Sequence, residues 1–396
     1  MNNFSQEGVS RALRFVVLLG LISLFADMVY EGARSINGSF LQILGARAST
    51  VGWVAGVGEL IGYGLRFFSG YLADRTRRYW LLVMLGYAIN LLSVPLLAFA
   101  GLWQVAIVLI IAERVGKAIR NPSRDALLSF GTQQMGRGWG YGLHEAMDQI
   151  GAVSGPLLVS AVLFFKQNDY QTAYALLFIP ALIALAILWY CKRLYPKPEN
   201  LEVKRMGVAT SGLSKYYWIY LLAIAFMAAG YADFPLIAFH FKKEGLASDA
   251  LIPVFYAVAM GADALVALLA GRLFDRWGIR VVAISFFIAL FFAPLVFMGK
   301  HPIFLWLGMI AWGIGMGVQE SVVRAEIATT VPPEKRGTAF GTFNAVFGIF
   351  WFGGSAAMGI LYEHTVAGVV VFSMLAQLIA VAGLMLYARI KTSATL

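Results

Sequence analysis

A chain of 396 residues that is 60% hydrophobic and 13% charged, with a mean hydropathy of +0.74, holds more apolar surface than a soluble fold can hide, since an ordinary domain carries about 25% charged residues. Its net charge of +10 would suit nucleic acid, but the basic residues gather at alternate ends of apolar runs and form no single stripe, which argues against that partner. A single cysteine, Cys191, excludes an intramolecular disulfide and a thiolate metal cluster.

Apolar runs of about 20 residues read as membrane spans. About twelve begin near Leu13, Val51, Tyr79, Trp103, Tyr141, Tyr170, Tyr217, Ile252, Val281, Ile303, Gly341 and Val366. The first run carries charges and lacks a small-residue cleavage site, so it reads as a retained span and not as a signal peptide. At a rise of about 1.5 Å per residue, Asp27 lies roughly 20 Å beyond Arg14, near the bilayer midplane. Asp27, Tyr30, Glu31 and Arg34 recur at helical spacing and form one polar face. A charge at that depth costs roughly 2.5 to 3.5 kcal/mol on insertion scales, so it requires a partner, a wet cavity or a function. Asp27 and Glu31 are therefore candidates for proton uptake and release; the alternative is that either acid pairs with Arg34 and pins the span.

The second span carries Glu59 and Arg66, and Arg66 is near enough to the span end to snorkel. A basic turn follows, Gly70-Tyr71-Leu72-Ala73-Asp74-Arg75-Thr76-Arg77-Arg78. In the fourth span Glu113, Arg114, Lys117, Arg120, Asn121, Arg124 and Asp125 fall within roughly 140° of a helical wheel that turns about 100° per residue. Such a stripe cannot face lipid, and Glu145 and Asp148 on the fifth span are its expected partners. Arginine presents a planar fork of donors matched to carboxylate or phosphate. Arg114, Lys117 and Arg120 are thus candidates to hold an acidic or zwitterionic substrate, while Arg120, Arg124 and Asp125 can close a gate against the turn around Asp74. His144, Glu145 and Asp148 offer imidazole and carboxylate to a divalent cation; hydrogen bonding and salt bridging is the plainer reading.

A polar interval from Lys192 to Ser214, with Pro196, Pro198, Glu199, Glu202, Lys204 and Arg205, reads as a linker. Beyond it the basic turn recurs as Gly271-Arg272-Leu273-Phe274-Asp275-Arg276-Trp277-Gly278-Ile279-Arg280. Likewise Arg137-Gly138-Trp139-Gly140-Tyr141-Gly142 aligns with Arg336-Gly337-Thr338-Ala339-Phe340-Gly341. This duplication marks two related halves: an N-terminal six-helix bundle over 1–191, a cytoplasmic linker over 192–214 and a C-terminal six-helix bundle over 215–396. In the second half Asp233, Asp263, Glu320, Arg324 and Glu326 continue the polar lining. Glu320 and Arg324, at i and i+4, can satisfy each other, and Arg324 corresponds to Arg124 under the repeat. Because Arg11, Arg14, Arg75, Arg77, Arg78, Lys192, Arg193, Arg276 and Arg280 fall on one side, charge bias places both termini in the cytoplasm.

On these motifs the chain resembles the major facilitator superfamily over essentially its whole length. The family's signature between spans two and three, G-x3-D-[RK]-x-G-x-[RK]-[RK], is met by Gly271, Asp275, Arg276 and Gly278. The first copy keeps Gly70, Asp74 and Arg75 but has Arg77 where glycine is expected. A second family motif, on span five, is met by Gly142, Gly151, Gly155 and Pro156, with Val159 and Ser160 in place of its closing glycines. The resemblance implies an all-α membrane fold of about twelve helices in two pseudo-symmetric bundles. It also implies a role in proton movement for Arg114, and a tilt toward proton-exchanging exporters.

The expectation is a secondary transporter of the plasma membrane, a proton-coupled antiporter that exports a small polar or charged organic solute by alternating access. The alternatives are a divalent metal cation transporter and a proton-coupled importer of an organic anion. Asp27, Glu31 and Arg114 would carry the coupling. Substrate would meet Arg34, Lys117, Arg120, Glu145, Asp148, Asp233 and Glu320. Asp74, Arg75, Arg124, Asp125, Asp275, Arg276 and Arg324 would form the cytoplasmic gate. No nucleotide-binding loop, zincin helix or nucleophile elbow is present in the sequence, so an enzyme is not expected. The chain would use an ion gradient, taken as H+, and no cofactor or bound metal, and would act as a monomer among membrane lipids.

Overall fold

The computed structural model describes residues 6–135, 137–197, 215–330 and 336–393, and among these residues there is no strand. The twelve spans expected from hydropathy are all helical. Five lie in the first half as single helices: α1 (Gln6–Ile43), α2 (Ala48–Thr76), α3 (Tyr79–Leu96), α4 (Trp103–Met135) and α5 (Arg137–Phe165). The sixth is broken into α6 (Tyr170–Leu176) and α7 (Phe178–Leu194), the seventh into α8 (Lys215–Gly230) and α9 (Phe234–Lys243), and the ninth into α11 (Arg280–Ala289) and α12 (Phe292–Phe297). The rest are α10 (Leu251–Trp277), α13 (Pro302–Thr330), α14 (Arg336–His364) and α15 (Val366–Ser393).

The breaks have a local cause. Pro180, Pro235 and Pro294 each stand within three residues of the restart of a helix, where a missing N–H costs nothing because the first turn has no intrahelical acceptor for it. A break inside a membrane must satisfy its freed carbonyls within the protein. At the α8–α9 break, Ser373 Oγ donates to the Gly230 carbonyl at 2.6 Å and Trp312 Nε1 donates to the Ala232 carbonyl at 2.9 Å. The unwound backbone is thereby buried without orphaned acceptors at these two positions.

Ten of the described helical stretches are long and apolar enough to cross a membrane by composition alone. The two first-half helices left out are α2, diluted by Gly52, Gly56, Gly58, Gly62, Gly64 and Gly70, and α4, which carries the charged stripe. Large apolar side chains such as Phe99, Phe165 and Leu268 are strongly exposed, which in water would drive aggregation and in lipid costs nothing. The chain is an integral, multi-pass membrane protein.

Packing divides the described chain into two units, one drawn from Met1–Arg34 and Gly64–Met206, the other from Ser35–Tyr63 and Gly207–Leu396. The division therefore runs through α1 and α2. It differs from the boundaries drawn by sequence duplication in assigning the α1–α2 corner to the second unit. Within the first unit α3 and α4 approach backbone to backbone: a Cβ on Gly116 would collide with the Asn90 backbone, and one on Gly86 would reach Arg120. Small residues allow this approach, and such van der Waals contact holds helices together where lipid removes the hydrophobic drive. Ser69 Oγ adds a hydrogen bond to the Ala118 carbonyl at 2.8 Å, tying α2 to α4. In the second unit Tyr217 Oη donates to the Ala339 carbonyl at 2.6 Å and Tyr220 Oη to the Val323 carbonyl at 2.9 Å. Those two bonds fasten α8 to α14 and α13.

Candidate functional site

The polar face of α1 and the charged stripe of α4 meet inside the first unit. What positions them is a seam of small residues. Gly151 and Gly155 of α5 lie so close to α1 that a Cβ on either would strike the carbonyl of Leu24 or Met28. This brings Asp27 over Gly151, one turn from Asp148, and the two carboxylates interact electrostatically.

Around that seam the charges are ordered in pairs. Asp27, Glu31 and Arg34 are each under a tenth exposed, and Arg120 is wholly buried. Glu31 lies between two cations, 3.9 Å from Lys117 Nζ and 4.0 Å from Arg34 Nη1. Lys117 Nζ also sits 3.6 Å from the centre of the Tyr30 ring. The Arg120 guanidinium stacks 4.2 Å from the Tyr87 ring and 5.6 Å from Tyr30. None of its three nitrogens has a hydrogen-bond partner among the described residues, and neither does Asp27 Oδ1 or Asp148 Oδ1. Deeper in the contact between α3 and α4, Asn90 Nδ2 donates to Glu113 Oε1 at 2.7 Å, and Arg114 Nε lies 3.3 Å from Glu113 Oε2.

Arg124 joins α4 to α5. Its guanidinium donates to Asp125 Oδ1 at 2.9 and 3.0 Å, lies 3.9 Å from Asp148 Oδ2, and reaches Ser23 Oγ at 3.5 Å. His144 Nδ1 is 3.5 Å from the same Asp148 oxygen, and its Nε2 is 3.1 Å from Ser23 Oγ. The expected partner Asp148 therefore does meet the α4 stripe. Glu145 does not share it: that side chain is exposed and accepts from Gln149 Nε2 at 3.2 Å. With Glu145 turned away, His144 and Asp148 are two ligands, and no group of three or more His, Cys, Asp or Glu able to hold a metal ion occurs among the described residues.

The remaining expected residues are more scattered. Asp233 is buried immediately before α9 and accepts from Trp351 Nε1 at 3.3 Å. Asp263 is buried on α10 against Gly317. Glu320 is exposed on α13. Arg75 is exposed and donates to Tyr71 Oη at 3.3 Å, and Arg276 is exposed at the end of α10. The side chains of Asp74, Asp275 and Arg324 lie outside the described residues. In the span-five motif Gly151, Gly155 and Pro156 are buried, whereas Gly142 stands open with no atom near its Cβ position.

Sequence reasoning missed Tyr30 and Tyr87 as platforms for the two cations, and Ser23 as a bridge. Tyr30 was visible on the α1 polar face; Tyr87 carries no local signal, because its role depends on how α3 is turned toward α4. It also missed that Glu326 is buried, accepting from Lys391 Nζ at 2.7 Å and from the Tyr387 hydroxyl.

Residues 19–355 and 235–395 match the Major Facilitator Superfamily. The chain is 40% identical over 375 residues to the protein Rv2265 of Mycobacterium tuberculosis, covering 93% of this chain and 91% of that one. It is 24% identical over 359 residues to the MFS-type transporter MJ1317 of Methanocaldococcus jannaschii, covering 88% of each. Among solved structures it superposes on the nucleoside transporter NupG with a TM-score of 0.72 at 14% identity, over 95% of this chain and 98% of that one. A duplicated helical membrane fold, a buried charged interior and a family match along the length of the chain lead to one assignment: this protein is a transporter of the major facilitator superfamily.

Proposed function

We propose that this transporter is a proton-coupled secondary carrier of the plasma membrane that exports a small polar or charged organic solute by alternating access. The observation that supports this reading is the meeting of Asp27 and Glu31 of α1 with Lys117, Arg120 and Arg124 of α4 and Asp148 of α5, inside one unit and at membrane depth. Asp27 and Glu31 bind and release protons. Arg114 assists by holding Glu113. Arg34, Lys117, Arg120 and Asp148 contact substrate, joined by Asp233 and Glu320 of the second half, with Glu145 at the edge.

Asp74, Arg75, Arg124, Asp125, Asp275, Arg276 and Arg324 hold the cytoplasmic side shut when two bundles, 1–191 and 215–396, rock about the central site. The linker 192–214 keeps them tethered as a monomer with cytoplasmic termini. Efflux rests on the span-five motif of Gly142, Gly151, Gly155 and Pro156.

A second reading has one observation in its favour. The buried guanidinium of Arg120, with no hydrogen-bond partner among the described residues, suits an organic anion. Such an anion would compete with ionised Asp27 for Arg120, so protonating Asp27 would strengthen anion binding, and proton and anion would move together. Antiport demands the opposite sign, because substrate and proton then exclude each other. A thermal-shift screen of the purified protein with organic anions, drugs and divalent cations at two pH values identifies ligand and sign together. In proteoliposomes with an imposed pH gradient, Asp27→Asn should abolish gradient-driven flux of that ligand and leave counterflow measurable. Unchanged driven flux would refute the coupling role.

A further inference from the structure

The turn from α2 to α3 has Arg77 where the family signature has glycine, and the structure gives that departure a place. Thr76 closes α2, and Arg77 adopts φ +53°, the left-handed region, which L side chains avoid because Cβ crowds the carbonyl. Gly278, the equivalent residue of the second copy, adopts φ +59° with no such conflict. An arginine held where glycine fits better is an observed outlier that points to use of its side chain.

Arg77 lines a cleft of about 290 Å³ with Arg78, Tyr79, Trp80, Leu81, Lys192 and Pro196. The three cations are exposed, and none belongs to an ion pair among the described residues. Hydrogen bonds brace the helices beneath them. Buried Trp80 donates its indole N–H to the Tyr195 carbonyl at 3.0 Å, and the Tyr195 hydroxyl donates to the Arg11 carbonyl at 3.0 Å, which ties the starts of α1 and α3 to the end of α7. Leu81 on the rim and Leu85 one turn further along α3 are about half exposed. The cationic cleft thus opens onto an apolar, lipid-facing strip.

We propose that this cleft binds a phosphate-bearing anion, namely the headgroup of an anionic phospholipid whose acyl chains lie along Leu81 and Leu85. Arginine forks suit phosphate oxygens, basic pockets between spans on the cytoplasmic side are fit for such headgroups, and charge bias assigns this end of the chain to the cytoplasm. Free phosphate shares the oxyanion chemistry but gains nothing from the leucine strip.

The test uses the full-length protein in detergent, titrated with dioleoylphosphatidylglycerol, dioleoylphosphatidylcholine or inorganic phosphate, and read by native mass spectrometry and thermal shift. The wild type should bind phosphatidylglycerol well above phosphatidylcholine. Removing all three charges in R77Q/R78Q/K192Q should weaken phosphatidylglycerol binding on the order of 100-fold, from about 5-fold per basic residue. R77G guards against misfolding: it relieves the backbone and should melt no lower than wild type in phosphatidylcholine, yet bind phosphatidylglycerol about 5-fold more weakly. Equal binding of phosphatidylglycerol by the wild type and the triple variant, or equal binding of the two lipids, overturns the proposal. Inorganic phosphate that binds as tightly as the lipid keeps the oxyanion site and overturns the lipid as its source.

Discussion

The ammonium of Lys117 lies 3.6 Å from the centre of the Tyr30 ring and 3.9 Å from the Glu31 carboxylate. A cation desolvated in this way depends on both neighbours, because a ring face contributes about 2 kcal/mol or more once water is excluded. Removing one member of a buried ion pair costs roughly 3 to 5 kcal/mol where the other charge is left uncompensated, and Arg34 at 4.0 Å from Glu31 keeps part of that compensation. Lys117→Met should therefore lower the thermal midpoint by less than that full cost, and adding Glu31→Gln should recover part of the loss. If the double variant melts as low as the single one, the pair is not what holds Lys117.

A second expectation concerns the seam between α1 and α5. Gly155→Val places a side chain where the Met28 carbonyl now sits, so α1 must move outward and carry Asp27 with it. Overpacking of this kind costs typically 1 to 3 kcal/mol, about the scale of a clear shift in melting temperature. Transport should fall further than stability does, because the Asp27 to Asp148 spacing is set by this contact. Melting curves and flux measured on one preparation test the difference, and full activity in a folded variant would contradict it.

The second unit supplies a control outside the proposed site. Glu326 is buried, with Lys391 Nζ at 2.7 Å and the Tyr387 hydroxyl as donors. Lys391→Met should destabilise by about 1 to 3 kcal/mol, less than the fully buried case because the Tyr387 hydroxyl still donates. Glu326→Gln should cost less than Lys391→Met, as it removes the charge itself. Thermal unfolding of the two variants ranks them, and the reverse order would show that the Glu326 charge is not compensated by Lys391.

One carboxylate outside the spans has a legible pH dependence. Asp169 caps α6, accepting from the Thr172 N–H at 3.0 Å and from its hydroxyl, and these bonds hold its carboxyl below the usual carboxylate range. A depressed folded value means the contribution is present above the unfolded pKa of about 4 and is lost as pH falls through the folded value. Asp169→Asn keeps a capping oxygen without titrating, so the thermal midpoint of this variant should fall less than that of the wild type below about pH 4. Asp169→Ala removes the cap and should cost about 1 kcal/mol at neutral pH. Equal acid limbs for Asp169→Asn and wild type would sink the linkage.

Sequence alone determined the membrane class, the places of the twelve spans and the charged faces of α1 and α4, because hydrophobic run length and helical periodicity are local properties of consecutive residues. The family followed from short motifs, with Arg77 visible as a misfit where glycine is expected in its turn. Tertiary structure alone decided which charges meet: that Asp148 joins Arg124 while Glu145 turns to Gln149, that Tyr30 and Tyr87 receive Lys117 and Arg120, that Glu326 takes Lys391, and that residues 35–63 pack with the second unit. Each of these depends on the rotation of one helix about its axis and on how closely glycines let another approach. Those quantities are fixed by packing between segments far apart in the chain, and no local pattern encodes them.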